Sequence, residues 1–497
     1  MQNAELKHKT FHAVVWALLR VGTSNVVSFV VFTVLARILS PGDFGVFALA
    51  ILVVDVARIV SSAGLSDAIT RDRHRDELLA DTAFWANLGL GCMVGAVTWL
   101  LAPLYAMAMD QPQITTVVRC LAVLVPVSSL SGIHTARKLA EFGHRAVAAR
   151  MMSSTVLGGG TAVAAAVAGL GVWSLVIQTA VVDVVGIVFA WQTYPWCPRL
   201  RLDRRRLWDV CGFSGTMMLT QVLGTLLTRI QDIVVGRFLS VAAVGTYRVA
   251  WRMIDLIAQT TIQPIVGVSF VTLSQLQDER ERFRYAFLRM LGLGALFTFP
   301  ALAGFGVLSG DIIPLLFGAK WAGSATIAQI LTLMAIPFCM NFFIGPALAA
   351  IGRSATIAKG SIVQTAATIA LSLLAAPCGL PWVAAAYVLR SYLTMPYHLV
   401  LFARDTGIGP FEMMRAIMPP FLATMGMAIT LLLVAPLLRQ GIGHNAAYLA
   451  VMVSLGCSVF AIGLLLFAGD YVRSNLGVLR PFWRRVQPQL YRRNALH

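Results

Sequence analysis

The sequence predicts an all-α polytopic membrane protein, and three observations carry that expectation. Of its 497 residues 58% are hydrophobic and only 12% charged, with a mean hydropathy of +0.77, where a water-soluble domain carries about 25% charged residues. Apolar stretches of membrane length follow one another along the chain with short connections. Lys and Arg gather on alternate connections. The same composition excludes a soluble enzyme and a disordered chain. It also gives the net charge of +17 a reason other than nucleic-acid binding. Seven cysteines are scattered without C-x-x-C or metal spacing, so neither a disulfide frame nor a zinc site is indicated. No phosphate-binding loop of the G-x-x-x-x-G-K-[ST] type occurs, and no cofactor is expected.

A membrane helix needs about 20 apolar residues. Fourteen stretches qualify: 14–36, 44–66, 84–108, 114–133, 147–168, 172–193, 212–236, 246–271, 286–308, 324–346, 356–376, 382–402, 417–438 and 446–468. The first is too long for a cleaved signal peptide, carries Arg20 and precedes no small-residue cleavage site. Pro126, Pro264, Pro300, Pro337 and Pro396 fall within spans and predict kinks. The Gly158-Gly159-Gly160 run reads as a packing or flexibility element at a helix start.

Charge sets the orientation. The N-terminus, the loops 70–82, 134–150, 194–209, 274–289, 351–360 and 403–416, and the tail from 470 hold 28 Lys and Arg. The opposite connections hold four: Arg37, Arg237, Lys320 and Arg439. The positive-inside rule puts the richer side, and both termini, in the cytoplasm. The aromatic and Arg-rich tail suits either an anionic leaflet or the same rule alone.

An internal repeat runs at an offset of two hundred. Residues 34–55 and 234–255 share seven gapless identities, including Arg37 and Arg237, Gly45 and Gly245, and Asp55 and Asp255. Leu170-Gly171-Val172-Trp173 and Gly379-Leu380-Pro381-Trp382 give a weaker echo. Span 1 then corresponds to span 7 and span 2 to span 8, in one orientation. That is a parallel repeat about an axis along the membrane normal. The expected organisation is a lobe of spans 1–6 over 1–200, a lobe of spans 7–12 over 201–410, spans 13–14 over 411–469, and a basic tail over 470–497.

Charges in a bilayer cost about 2.5–3.5 kcal/mol each on insertion scales, so they face partners or a wet cavity. Span 1 carries Arg20, Ser24 and Ser28 at intervals of four, with Asn25 beside them. Span 2 carries Asp55, Arg58 and Ser62. Span 7 carries Ser214, Gln221, Thr225, Thr228, Arg229 and Asp232. Span 8 carries Arg248, Arg252, Asp255, Gln259 and Gln263. Four helices, equivalent in pairs, thus share polar stripes around an expected central cavity. Asp55 and Arg58, Arg229 and Asp232, and Arg252 and Asp255 are each three apart; they could line that cavity or merely neutralise one another. Arg20 and Arg390 have no acid within a turn and are candidates for an anionic ligand. Arg119 reads as snorkelling, and Asp183 as a lone acid, an ion or proton site. Seven intramembrane Arg against Asp55, Asp183, Asp232 and Asp255 leave three positive charges in excess. A phosphate-bearing substrate fits that sign, and a lipophilic cation does not.

Several segments carry a family resemblance. They are Leu39-Ser40-Pro41-Gly42-Asp43-Phe44-Gly45 with Gly64-Leu65-Ser66, Ala83-Phe84-Trp85-Ala86-Asn87, and Gly171-Val172-Trp173-Ser174-Leu175. In the second half they are Arg237-Phe238-Leu239-Ser240 with Gly245-Thr246-Tyr247, and Leu316-Phe317-Gly318-Ala319-Lys320-Trp321. Together they resemble the Wzx-type polysaccharide flippases, a branch of the multidrug/oligosaccharidyl-lipid/polysaccharide exporter superfamily. The resemblance implies a non-enzymatic transporter in the bacterial inner membrane. It would flip an undecaprenyl-diphosphate-linked oligosaccharide to the periplasmic leaflet by alternating access. It also implies spans 1, 2, 7 and 8 around the cavity, and Arg20 and Arg252, by span and depth, as diphosphate contacts. Coupling to H+ or Na+, contact with membrane lipids, and a glycan polymerase and chain-length regulator as partners are implied as well. The alternatives are a multidrug cation antiporter of the same superfamily, a flippase for a peptidoglycan precursor, and a membrane glycan polymerase or ligase, which would need larger outer loops.

Overall fold

The computed structural model describes residues 25–62, 64–66, 69, 76–141, 143–201, 203–442 and 446–476, among which there is no strand. The helices are α1 (Asn25–Ile38), α2 (Pro41–Ser62), α3 (Glu77–Ala108), α4 (Gln113–Ala140), α5 (His144–Val167) and α6 (Trp173–Thr193). They continue as α7 (Arg204–Phe238), α8 (Val241–Thr261), α9 (Gln263–Gln275), α10 (Arg280–Phe317), α11 (Ala322–Thr332) and α12 (Ala335–Ala350). Last come α13 (Ser354–Ala375), α14 (Leu380–Thr406), α15 (Pro410–Ile442) and α16 (Ala446–Leu476). Each of the fourteen apolar stretches carries a helix or a bent helix pair. Among the described residues, eight helices are long and apolar enough to cross a membrane, or up to ten counting each bent pair as one span. The protein is a multi-pass membrane protein.

Local chemistry explains the breaks. Span 8 bends by 48° between α8 and α9, and span 10 by 65° between α11 and α12. Pro264 and Pro337 sit in the first turn of the helix after each break, where a missing N–H removes no helical bond. Pro126, Pro300 and Pro396 instead lie inside continuous helices. The α2 start is a reciprocal cap: Ser40 N and Oγ donate to Asp43 Oδ2 at 3.0 and 2.6 Å, and Asp43 N donates back to Ser40 Oγ at 3.2 Å. Asp76 caps α3 through Leu78 N at 3.0 Å.

The described residues form two compact units. The first holds those up to Val249 with Leu316–Gly323 and Thr365–Val383. In it α2 packs on α3, α4 and α7, around Leu49, Val54, Leu121, Val125, Val235 and Val244. Helices in a bilayer gain little from hydrophobic exclusion, so small residues and close van der Waals contact hold them. Gly91 and Gly95 of α3 form a G-x-x-x-G face against Ala122, Pro126 and Ser129 of α4. The Gly158 run lies inside α5 rather than at its start, and it serves packing. A β-carbon on Gly158 would lie 2.5 Å from Val182, and one on Gly159 2.4 Å from Val31. The second unit holds Ala250–Leu315, Ser324–Gln364 and the described residues from Ala384. Its core is aromatic, with Phe287 and Phe402 rings 4.7 Å apart. A separate cluster of Leu308, Met427, Tyr448 and Met452 joins α10, α15 and α16.

Candidate functional site: buried charges on the spans

In the first unit the intramembrane charges find partners on other helices. Arg58 Nη2 of α2 donates to Asp183 Oδ2 of α6 at 2.6 Å, with side chains 24% and 13% exposed. Asp183 is therefore not a lone acid, and Arg58 does not settle on Asp55 one turn before it. A guanidinium on a four-bond stem reaches an adjacent helix easily, and pairing there spares a carboxylate from unpaired burial. Arg150 of α5 completes the group. It donates from Nη2 to Ser131 Oγ at 3.2 Å and from Nη1 to Thr135 Oγ1, and its charge acts on Asp183. Counting Arg150 with the loop 134–150 hid it; α5 begins at His144, so Arg150 lies almost two turns inside the helix. The signal available was its match to Ser131 and Thr135, a polar pair four apart on α4.

The α7–α8 hairpin builds the second group from consecutive residues. Tyr247 Oη donates to Gln231 Oε1, whose Nε2 donates to Ser372 Oγ at 3.1 Å. One step along both helices, Arg248 donates from Nε at 2.6 Å, and also from Nη2, to Oδ2 of the fully covered Asp232. Asp232 thus takes its partner from α8 rather than from Arg229 on its own helix, although Arg229 also acts on it. Asp55 stands in the electrostatic field of Arg229, Arg58 and Arg248. Three carboxylates and four guanidiniums accordingly share this region of one unit.

In the second unit Arg252 and Asp255 lie one turn apart on α8, and Asp255 acts on Arg252. Arg390 of α14 is 2% exposed. Its guanidinium stacks 4.0 Å from the Tyr387 ring centre, and its buried Nε has no hydrogen-bond partner among the described residues. Tyr387 in turn meets Trp251 edge to face at 5.1 Å. The unit also contains an apolar cavity of about 700 Å³, bounded by Met253 and Ile257 of α8 and by α10, α15 and α16. Elsewhere, Arg119 lies over the Trp99 ring at 4.3 Å. Asn25 is half-buried on α1 and Gln221 exposed on α7. Arg20 and Ser24 lie outside the described residues, as do the side chain of Ser214 and the tail from 477.

Paired charges inside apolar helices can bind an ion, hold two helices or change partners. The order of the helices among the described residues, with two bent spans, has counterparts among solved structures. The fold is similar to "Lipid II flippase MurJ, inward closed conformation", with a TM-score of 0.73, 14% identity and coverage of 94% of this chain and 99% of that one. It is also similar to an inward-facing multidrug resistance MATE family transporter of the MOP superfamily, with a TM-score of 0.63, 16% identity and coverage of 77% and 94%. In sequence, residues 34–326 match the family described as polysaccharide biosynthesis protein, and the chain belongs to that family. Among curated relatives, "Succinoglycan biosynthesis transport protein ExoT" of Rhizobium meliloti is 24% identical over 95% of this chain and 96% of its own length. "Lipopolysaccharide biosynthesis protein WzxC" of Escherichia coli is 24% identical over 72% and 74%.

Proposed function

We propose that the protein is a flippase that carries a lipid-diphosphate-linked oligosaccharide from the cytoplasmic to the periplasmic leaflet for polysaccharide export. The observation that carries the reading is the cationic surplus, of which Arg390 is the sharpest instance. A guanidinium almost wholly covered, stacked on a tyrosine and without a carboxylate partner among the described residues is suited to a dianionic ligand. Arg252, on the helix whose Trp251 meets Tyr387, is a second contact for the diphosphate, and Arg20 a third. Arg58, Arg229, Ser24, Asn25 and Gln221 line the path in this reading. Asp55, Asp183, Asp232 and Asp255 serve the gate or couple to H+ or Na+. The apolar cavity beside α15 and α16 suits part of a polyprenyl tail, being of the size of an ordinary ligand site. A multidrug antiporter of similar fold is the second reading, but an export path for lipophilic cations would need the opposite charge.

The test is transbilayer movement of a fluorescent lipid-diphosphate oligosaccharide in proteoliposomes. Arg390→Ala should abolish movement with insertion unchanged. Arg390→Lys should restore part of it, because Lys keeps the charge and loses the planar fork. Normal movement in Arg390→Ala, Arg252→Ala and Arg20→Ala would refute the diphosphate assignment. Ethidium transport by the wild type without lipid movement would favour the antiporter.

A further inference from the structure

Three helices of the second unit, α12, α13 and α14, enclose a small polar cavity of about 100 Å³. Among the described residues no Asp, Glu, Lys or Arg lines it. Its polar wall is made of Asn341 on α12, Thr356, Ser361 and Gln364 on α13, and His398 on α14. Polar groups on apolar spans are costly to bury and are placed with a purpose more often than by chance. Here five uncharged ones, from three helices, present donors and acceptors to one space.

Local chemistry keeps the cavity neutral and open. Thr356 Oγ1 donates to Asp405 Oδ2 at 2.5 Å, and Arg353 Nε lies 3.8 Å from Asp405 Oδ1. The neighbouring carboxylate is thus engaged outside the lining. His398 Nδ1 donates to Thr394 O at 2.7 Å, so the neutral ring presents Nε2 as an acceptor. Gly360 makes room for that edge, since a β-carbon there would lie 2.8 Å from Nε2. Gly345, in the lining on α12, is the contrary case: a β-carbon on it would meet nothing within 4 Å. Ile344, Leu348 and Ile357 add an apolar side.

That combination selects a class of ligand. A phosphate would call for cations or backbone N–H groups, and a polyprenyl chain for a wholly apolar wall. Amides and hydroxyls both donate and accept, as a sugar's hydroxyls do, and the apolar side suits the C–H face of a ring. Where about 10–15 Å³ admits one water, this volume has the scale of a single sugar ring. The cavity lies where α12 ends and α13 begins, beside the connection 351–360, whose charge predicts the cytoplasm. We propose that it captures one neutral sugar residue of the glycan on that side before transfer. The proposal rests on the transport reading above. It adds a determinant of glycan choice that cationic groups do not supply.

The experiment uses the full chain in phosphatidylcholine nanodiscs, free of sugar-based detergent. Saturation-transfer NMR is run against glucose, galactose, mannose and N-acetylglucosamine, with glycerol as the control. The wild type should transfer to at least one sugar and not to glycerol. Gly345→Leu, which fills the space, should cut that transfer at least about fivefold with the unfolding temperature unchanged. If it does not accumulate, Asn341→Leu, which keeps the volume and removes an amide, should do the same. No transfer to any of the four sugars, equal transfer to glycerol, or undiminished transfer in an accumulating variant would overturn the site. In proteoliposomes the same variants should raise the half-saturating concentration of the fluorescent lipid-diphosphate oligosaccharide about tenfold and keep the maximal rate. An unchanged half-saturating concentration would overturn capture. If the wild type moves no lipid, the transport reading fails, and the NMR arm still decides whether the cavity takes a sugar.

Discussion

Arg58 and Asp183 stand 125 residues apart in sequence and meet at 2.6 Å across α2 and α6. Losing one member leaves the other charge inside the protein, at a cost of about 3–5 kcal/mol, whereas losing both removes the problem together with the interaction. Asp183→Asn and Arg58→Gln should therefore each lower the unfolding temperature of the purified protein, and the double variant should unfold above either single one. Three equal losses would show that the residues do not act as a pair. Asp232 poses the same question more sharply, being fully covered with Oδ1 lacking a hydrogen-bond partner among the described residues. Asp232→Asn should strand Arg248, and Arg248→Gln with Asp232→Asn should recover stability by the same logic. The acids themselves were legible from sequence because charges are rare in apolar spans. Their partners were not: an i, i+3 neighbour is only one of several cations within reach once helices pack.

At the scale of the helix, the G-x-x-x-G face of α3 sets how closely it approaches α4. A β-carbon on Gly91 would lie 2.6 Å from Ser129 Oγ, and one on Gly95 3.0 Å from Ala122 O, whereas Gly89 has nothing within 4 Å. Gly91→Leu and Gly95→Leu should destabilise the protein by at least the 1–3 kcal/mol or so typical of overpacking, and Gly89→Leu should be neutral. Yield and thermal stability in detergent check this, and equal tolerance of all three would remove the face from the argument. Proline shows where helix-level reading stops. Pro264 and Pro337 mark breaks, while Pro126, Pro300 and Pro396 are absorbed within continuous helices. All five look alike in sequence, and neighbouring helices decide whether the freed carbonyl is satisfied in place.

For the whole molecule, the uneven distribution of Lys and Arg predicts which connections face the cytoplasm. The expected outcome is that Arg201→Cys reacts with an impermeant thiol reagent only after permeabilisation, and Gln113→Cys reacts in intact cells. The reverse pattern would invert the protein. Both positions are exposed, so lack of reaction would report sidedness rather than burial.

The sequence by itself determined the class of fold, the fourteen apolar stretches, the equivalence of spans 1 and 2 with 7 and 8, and the polysaccharide family. Each of these is local or periodic: bilayer thickness sets a length, and a repeat needs only a register. The tertiary structure decided which carboxylate holds which arginine, brought Arg150 into the membrane cluster, and gathered Asn341, Gln364 and His398 around one cavity. Those outcomes depend on which helices become neighbours, since a long side chain chooses among every partner that packing brings within a few ångströms.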